Sequence, residues 1–234
     1  MSTITIRKAT LKDIPFLTKT IIEAEKSGTS TLSYSTIFGL NLNEIEQLIS
    51  EMLLEEVDDC ELSISSFLIA EENGVTAASL SGWLENASEI PSSVLKGNLL
   101  NYYLPRECFI KAAESAKYTK ALHIDYIPNT FQIGAGYVEE SFRGRQLLGL
   151  LTEELIKGLT AQFPSINEIY AQIFDCNTPS LKTYERAGFE IVSTKISEEN
   201  DTINYLPSLK KILLKKDIKK DIKKSEQKIN NLNK

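Results

Sequence analysis

Strand and helix patterns alternate along this 234-residue chain, and together they predict an α/β (α+β) fold built as one domain. Three stretches carry that expectation. Over Thr3–Ala9, Ile4 and Ile6 alternate with Thr5 and Arg7, the pattern of a half-buried strand. Ser66–Glu71 and Val75–Leu84 flank Glu72-Asn73-Gly74, and an Asn-Gly pair between strand patterns is a strong hairpin signal. The third stretch, Gln132–Phe163, reads QIGAGYVEESFRGRQLLGLLTEELIKGLTAQF. It begins as a strand with Ile133, Ala135 and Tyr137 alternating, and it breaks at Glu139-Glu140-Ser141. After Arg143-Gly144-Arg145 it becomes a helix with Leu148, Leu151, Leu155 and Leu159 on one face.

The remaining elements follow in order. Thr10 to Asp13 resembles a capping box and opens a helix through about Glu25, with Ile14, Leu17, Ile21 and Ile22 at helical spacing. Ser27–Asn43 reads as a polar loop carrying Tyr34, Phe38 and Leu40; such a loop seals a core or folds over a ligand. Asn43 caps a second helix, Glu44 to about Glu56. Between Glu85 and Lys120 the rhythm is interrupted by an insertion of two helices, about Ser92–Tyr102 and Arg106–Ala116, each started by a proline. Ala121–Ile127 alternates like a strand ending at Pro128. Ile169–Phe174 is a short apolar strand, followed by a helix over about Pro179–Ala187 with Thr178 as its cap and Gly188 as its stop. Phe189–Ile196 and Ile203–Leu214 are the last two strands. Residues 215–234 hold eight lysines against Asp217, Asp221 and Glu226, the composition of a solvated, frayed tail.

Composition excludes several classes. A net charge of -6 argues against a general nucleic-acid binder. Cys60, Cys108 and Cys176 are scattered and His123 is the sole histidine, so no zinc motif exists and no metal is expected. Sparse free thiols, no signal-peptide pattern and no long apolar run predict a cytoplasmic protein without stable membrane insertion.

A strand that feeds a Gly- and Arg-containing turn and then a helix is a place to hold an anion. First-turn amides lack intrahelical partners, and the positive end of the helix dipole faces whatever sits there. Arg143 and Arg145 add charge, which points to a phosphate or pyrophosphate. A surface turn with solubilising arginines accounts for the same residues equally well.

Two motifs resemble the GNAT N-acetyltransferase family. V-E-E-S-F-R-G-R-Q-L-L at Val138–Leu148 is similar to that family's V-x-P-x-Y-R-G-x-G-x-G/A turn. Asn177, Tyr184, Gly188 and Phe189 are spaced as in its N-x-x-A-x-x-x-Y-x-x-x-G-F signature. The departures are Glu140 for Pro, Phe142 for Tyr, and Gln146 and Leu148 for small residues, with a glycine only at Gly149. The resemblance covers most of Ile4–Leu214 and implies a mixed central sheet flanked by helices that binds acetyl-CoA and acetylates a primary amine. Backbone amides across Arg143, Gly144, Arg145, Gln146, Leu147, Leu148 and Gly149 would cradle the CoA pyrophosphate. The amides of Tyr137 and Val138 would pair with pantetheine or the thioester carbonyl, and Asn177 would bond the pantetheine arm. Tyr184 would protonate the departing thiolate, although a core tyrosine on a helix face fits the position too.

Asp125, His123 and Glu139 are candidate general bases, and Cys176 permits an acyl-cysteine route that direct transfer in a ternary complex makes unnecessary. The acceptor pocket would lie among Ser27–Asn43, the insertion and the Ser197–Thr202 loop, and an acidic body suits a cationic small molecule. The implied fold includes members that dimerise through exposed strands, so a homodimer stays open. Two other readings stand: an idle acyl-CoA-binding regulatory module, and a non-CoA nucleotide binder, the latter opposed by the lack of a GKS/T loop.

Overall fold

The computed structural model describes residues 3–58, 60–87 and 89–218. Within them one mixed sheet has the order β1-β2-β3-β4-β5-β7-β6. Its strands are β1 (Ile4–Lys8), β2 (Phe67–Glu72), β3 (Val75–Leu84), β4 (Phe131–Val138), β5 (Glu168–Phe174), β6 (Glu190–Ile196) and β7 (Lys210–Asp217). All neighbours run antiparallel except β4 and β5, which are parallel. Asn73 (φ 52°) and Gly74 (φ 79°) both sit in the left-handed region between β2 and β3, as the Asn-Gly hairpin signal requires.

Helices cover both faces. On one side lie α1 (Ile14–Lys26), α2 (Ser33–Phe38), α3 (Leu42–Leu54), α4 (Ser92–Tyr103) and α5 (Arg106–Ala121). Their apolar stripes, including Leu17, Ile21, Ile45, Ile49 and Met52, form one buried cluster with Phe67 and Ile69. On the other side α6 (Leu147–Gln162) and α7 (Thr178–Arg186) bury Leu147, Leu151, Leu155 and Tyr184 against Leu80, Phe131, Ile169 and Leu214. The sheet is thus buried through its centre, as a sheet with a parallel pair of strands demands.

Several expectations are corrected. Ser27–Asn43 contains a helix, α2, closed by Gly39 at φ 78°. The cap of α3 is Asn41, two residues before Asn43, because Glu44 completes a reciprocal box: Asn41 N donates to Glu44 Oε2 at 2.7 Å, and Glu44 N to Asn41 Oδ1 at 3.1 Å. Ala121–Ile127 forms no strand. Helix α5 runs to Ala121, and the coil after it is held by side chains instead of a ladder: Tyr126 donates to Glu61 Oε2 at 2.9 Å, and Ile124 O accepts from Gln172 Nε2 at 3.1 Å. The last strand begins at Lys210, not Ile203: Asn200–Asn204 is a 3₁₀ turn fastened by Ser197 Oγ and Thr202 Oγ1 at 2.7 Å, and Pro207 follows. The expected frayed tail starts too early: Lys215–Asp217 are the end of β7, paired with Tyr170, Ile169 and Glu168, and residues 219–234 lie outside the described residues.

The start of α1 is fixed by charge. Arg7 on β1 forks onto Asp13 with two 2.8 Å bonds while its Nε reaches Glu71 Oε1 on β2 at 2.8 Å. Asp13 also accepts from Thr10 N at 2.8 Å. Its side chain is buried, and Arg7 holds its carboxyl below the usual carboxylate range against the burial that opposes this. A depressed acid contributes stability that is present above the unfolded value of ~4 and lost as pH falls through the folded one. Asp13→Asn should cost about 1–2 kcal/mol near neutrality, less than a fully buried pair because Arg7 is part-exposed. In urea titrations the gap between wild type and variant should close as pH falls below ~4. A gap that does not change with pH would contradict the pairing.

Candidate functional site

Parallel pairing of β4 with β5 covers Phe131↔Ile169, Gln132↔Tyr170 and Ile133↔Ala171 and then stops. On the other side β3 stays with β4, pairing Leu80↔Gly136, Ser79↔Tyr137 and Ala78↔Val138. The stretch 134–138 therefore has a free edge toward β5. Glu139 N donates to Ala77 O at 2.9 Å, toward β3. Strand alternation sends the Tyr137 amide the same way and turns those of Gly136 and Val138 into the gap. Of the two amides expected to meet a ligand, only that of Val138 has the right direction.

The gap opens into a cleft of about 870 Å³. One wall is the turn after β4. Glu140–Phe142 makes a 3₁₀ turn, Gly144 adopts φ 81°, and Gln146 adopts φ 60° as the residue that starts α6. Gln146 makes no capping bond, so the first amides of α6, from Leu147 to Gly149, keep no side-chain partner at their N-terminal end. Leu147 points into the core, and Leu148 lies against Gly136, where an added Cβ would stand 3.0 Å from Leu148 Cδ1 and 2.8 Å from Leu80 Cδ1. Leu148 is thus drawn onto the strand, while Gln146 and Leu148 both remain in the cleft lining. All of Tyr137, Val138, the run Arg143–Gly149 and Asn177 line it.

The two arginines differ. Arg145 is ion-paired with the buried carboxylate of Glu72, donates to Ser141 O at 3.3 Å, and stacks 5.1 Å from the Phe142 ring. Its charge chiefly balances Glu72. Arg143 is 57% exposed, touching only Val138 O at 3.3 Å and Glu140 at 3.5 Å, so it is the more available cation. Lys182 and Arg186 on α7 also line the cleft. Sequence reasoning missed both, although their spacing of four on a helix puts them on one face.

Asn177, and not Thr178, caps α7: its Oδ1 accepts from Ser180 N at 3.3 Å, and Pro179 follows within the first turn. Asn177, Ser180 and Ala187 line the cleft, and Tyr184 falls on the same helical stripe between them. Tyr184 is only 4% exposed, it does not line the cleft itself, and its ring lies 5.3 Å from Phe189. Burial pushes its hydroxyl well above the usual tyrosine range, so it holds its proton. Cys176 donates weakly to Ser27 O and Pro207 O, and burial followed by Asp175 raises its thiol, which opposes a thiolate nucleophile.

The candidate bases do not gather here. Glu139 binds Lys19 Nζ at 2.6 Å and is held below its usual range by that contact. Asp125 is 94% exposed on the coil after α5, bonded to His123 Nε2 at 2.9 Å. None of these three side chains lines the cleft. The three parts expected to frame an acceptor touch one another, but of them only Gly28 lines the cleft: Phe38 of α2 packs on Phe109 of α5, and Tyr118 of α5 stacks 4.8 Å from Tyr205 beside the 3₁₀ turn. Thr36 Oγ1 donates to Tyr205 O at 2.7 Å and closes the ring of contacts.

Arg145→Met should cost about 1–3 kcal/mol because it strands the buried Glu72 carboxylate, whereas Arg143→Met should change stability by less than ~0.5 kcal/mol. Urea unfolding of both variants checks this, and equal effects would contradict the division of labour.

No protein-family model matches the sequence, and no curated protein matches it. Solved structures do. An N-acetyltransferase from Staphylococcus aureus Mu50 is 15% identical with a TM-score of 0.59, over 91% of this chain and 100% of its own. A polyamine N-acetyltransferase from Drosophila melanogaster is 14% identical with a TM-score of 0.57, over 92% and 100%. An acetyltransferase of the GNAT family from Streptococcus pneumoniae is 15% identical with a TM-score of 0.51, over 92% and 99%. The expected mixed sheet and its flanking helices are therefore those of a recognised architecture: this chain has the fold of the GNAT-family acetyltransferases.

Proposed function

We propose that the protein is an acetyl-CoA-dependent N-acetyltransferase acting on a primary amine of a small molecule, by direct attack in a ternary complex. The observation that carries this reading is the conjunction, in one cleft, of a free β4 edge with the uncapped N-terminus of α6. Acetyl-CoA would supply an acetyl group already activated as a thioester. The α6 amides and Arg143, with Lys182 and Arg186 across the cleft, would hold its pyrophosphate. Asn177 and the free edge of β4 would hold the extended arm that follows.

The Val138 amide, aimed into the gap, would donate to the thioester carbonyl oxygen and stabilise the charge that develops as the amine attacks. As the carbon–sulfur bond breaks, the Tyr184 hydroxyl would give its proton to the sulfur; burial keeps that proton in place but makes it a weaker acid, and the hydroxyl, buried behind the cleft wall, would have to reach the sulfur to deliver it. The amine's own proton would leave through water. Glu139, the candidate base nearest in sequence to Val138, would receive it only weakly because Lys19 lowers its basicity.

A small cationic acceptor fits the acidic body, and the fold relatives point the same way. One of them is described as a polyamine N-acetyltransferase that forms N-acetylagmatine.

Amine-dependent release of CoA thiol tests the reading. Tyr184→Phe should lower turnover by about a hundredfold while leaving the acetyl-CoA dissociation constant within about twofold. Unchanged turnover would remove Tyr184 from the acid role. An absence of thiol release with every primary amine, despite acetyl-CoA binding, would leave a binding module.

A further inference from the structure

Among the described residues, four cationic side chains line the cleft: Arg143, Arg145, Lys182 and Arg186. Arg145 is taken by Glu72, and Arg143 touches Glu140 at 3.5 Å. Lys182 and Arg186 are exposed on α7, and among the described residues neither meets a carboxylate at ion-pair distance nor makes a hydrogen bond. Glu153 of α6 lines the same cleft without pairing with either. The chain has 32 acidic residues against 26 basic ones, so a scarcity of acids does not explain this.

The stability of α7 does not explain it either. The two side chains are four residues apart on one helix, so their like charges repel. A cation in the last turn complements the helix dipole, but the carbonyl end of α7 is already served by Lys216, whose ammonium donates to Ala187 O at 2.5 Å. Lys182 sits at the middle of the nine-residue helix and has no helix end to meet. Thr183, which also lines the cleft, turns its hydroxyl back onto Pro179 O at 3.0 Å. Tyr184 is buried from the same helix and fixes it against the core, so the two cations stand on a held element at the cleft wall.

Two unpaired positive charges one helical turn apart call for an anion. The open amides of α6 and Arg143 already meet a pyrophosphate from the other wall, so the α7 cations exceed what that group needs. CoA carries a further anionic group, a phosphomonoester on its ribose. Such a group has three terminal oxygens and a charge of about −1.5 to −2 at neutral pH. It can accept a forked pair of bonds from a guanidinium and a third from an ammonium.

We propose that Lys182 and Arg186 form a second phosphate subsite, which takes the ribose phosphomonoester and makes the cleft prefer CoA to its dephosphorylated form. The subsite rests on the CoA reading of the cleft and names the feature of the nucleotide that is selected.

Calorimetric titration with CoA and with dephospho-CoA, at about 0.1 M salt, tests this. The wild type should bind CoA at least about tenfold more tightly than dephospho-CoA. Lys182→Gln combined with Arg186→Gln should bring that ratio to within about twofold. A wild-type ratio below about tenfold overturns the subsite. So does a double variant that weakens both ligands by the same factor, which would assign the two cations to the pyrophosphate alone. Should the double variant fail to fold, Arg186→Gln by itself should lower the ratio by about threefold or more, and an unchanged ratio overturns the proposal. Failure of both ligands to bind the wild type would sink the CoA reading and the subsite with it. Equal binding of the two would sink the subsite and leave the CoA reading standing.

Discussion

The parallel pairing of β4 and β5 ends after Ile133, and most of the site depends on where it ends. A longer ladder would satisfy the backbone of residues 134–138 and close the cleft. Because β3 still holds β4 on the other edge, the free stretch is rigid, with its outward amides fixed in direction. The turn that follows delivers α6 with its first amides open, so one break in a ladder yields both a linear hydrogen-bonding edge and an anion site. Gly136 belongs to the same arrangement: it lets Leu148 and Leu80 approach the strand where a larger residue would push α6 away.

Around that gap the chain uses long-range ion pairs to hold its walls. Arg7 joins β1, β2 and the start of α1; Arg145 ties the turn before α6 to Glu72 at the end of β2. These contacts explain how a turn with Gln146 in the left-handed region, at a cost of order 1 kcal/mol, keeps its shape. On the far side the insertion joins α2 to the 3₁₀ turn before β7, and its Lys96 pairs with Glu61.

Local chemistry was the legible part. The Asn73-Gly74 hairpin, the Gly188 stop (φ 87°) and the leucine stripe of α6 follow from neighbours within a few residues, and the structure has them. Ala121–Ile127 failed because alternation records only which residues favour two faces; it cannot record that α5 runs to Ala121 and that side chains from distant elements hold the coil after it. The caps of α3 and α7 lay two and one residues from their expected places, since several polar residues compete at each start and a distant third-position partner decides. The turn, Asn177 and Val138, singled out on the motifs' resemblance to the family, all line the cleft. The pairing of Arg145 with Glu72 was not legible in the sequence, because 73 positions separate them. The same holds for the alternation that turns Tyr137's amide away from the cleft, which needs the register with β3.

We propose that this cleft holds a CoA thioester by its pyrophosphate at α6 and by its arm along β4, which calorimetric titration with acetyl-CoA, with desulfo-CoA and ATP as controls, puts to the test. The expected dissociation constant is on the order of micromolar for both CoA ligands, with ATP far weaker. Failure of either CoA ligand to bind, or ATP binding as tightly, would contradict it.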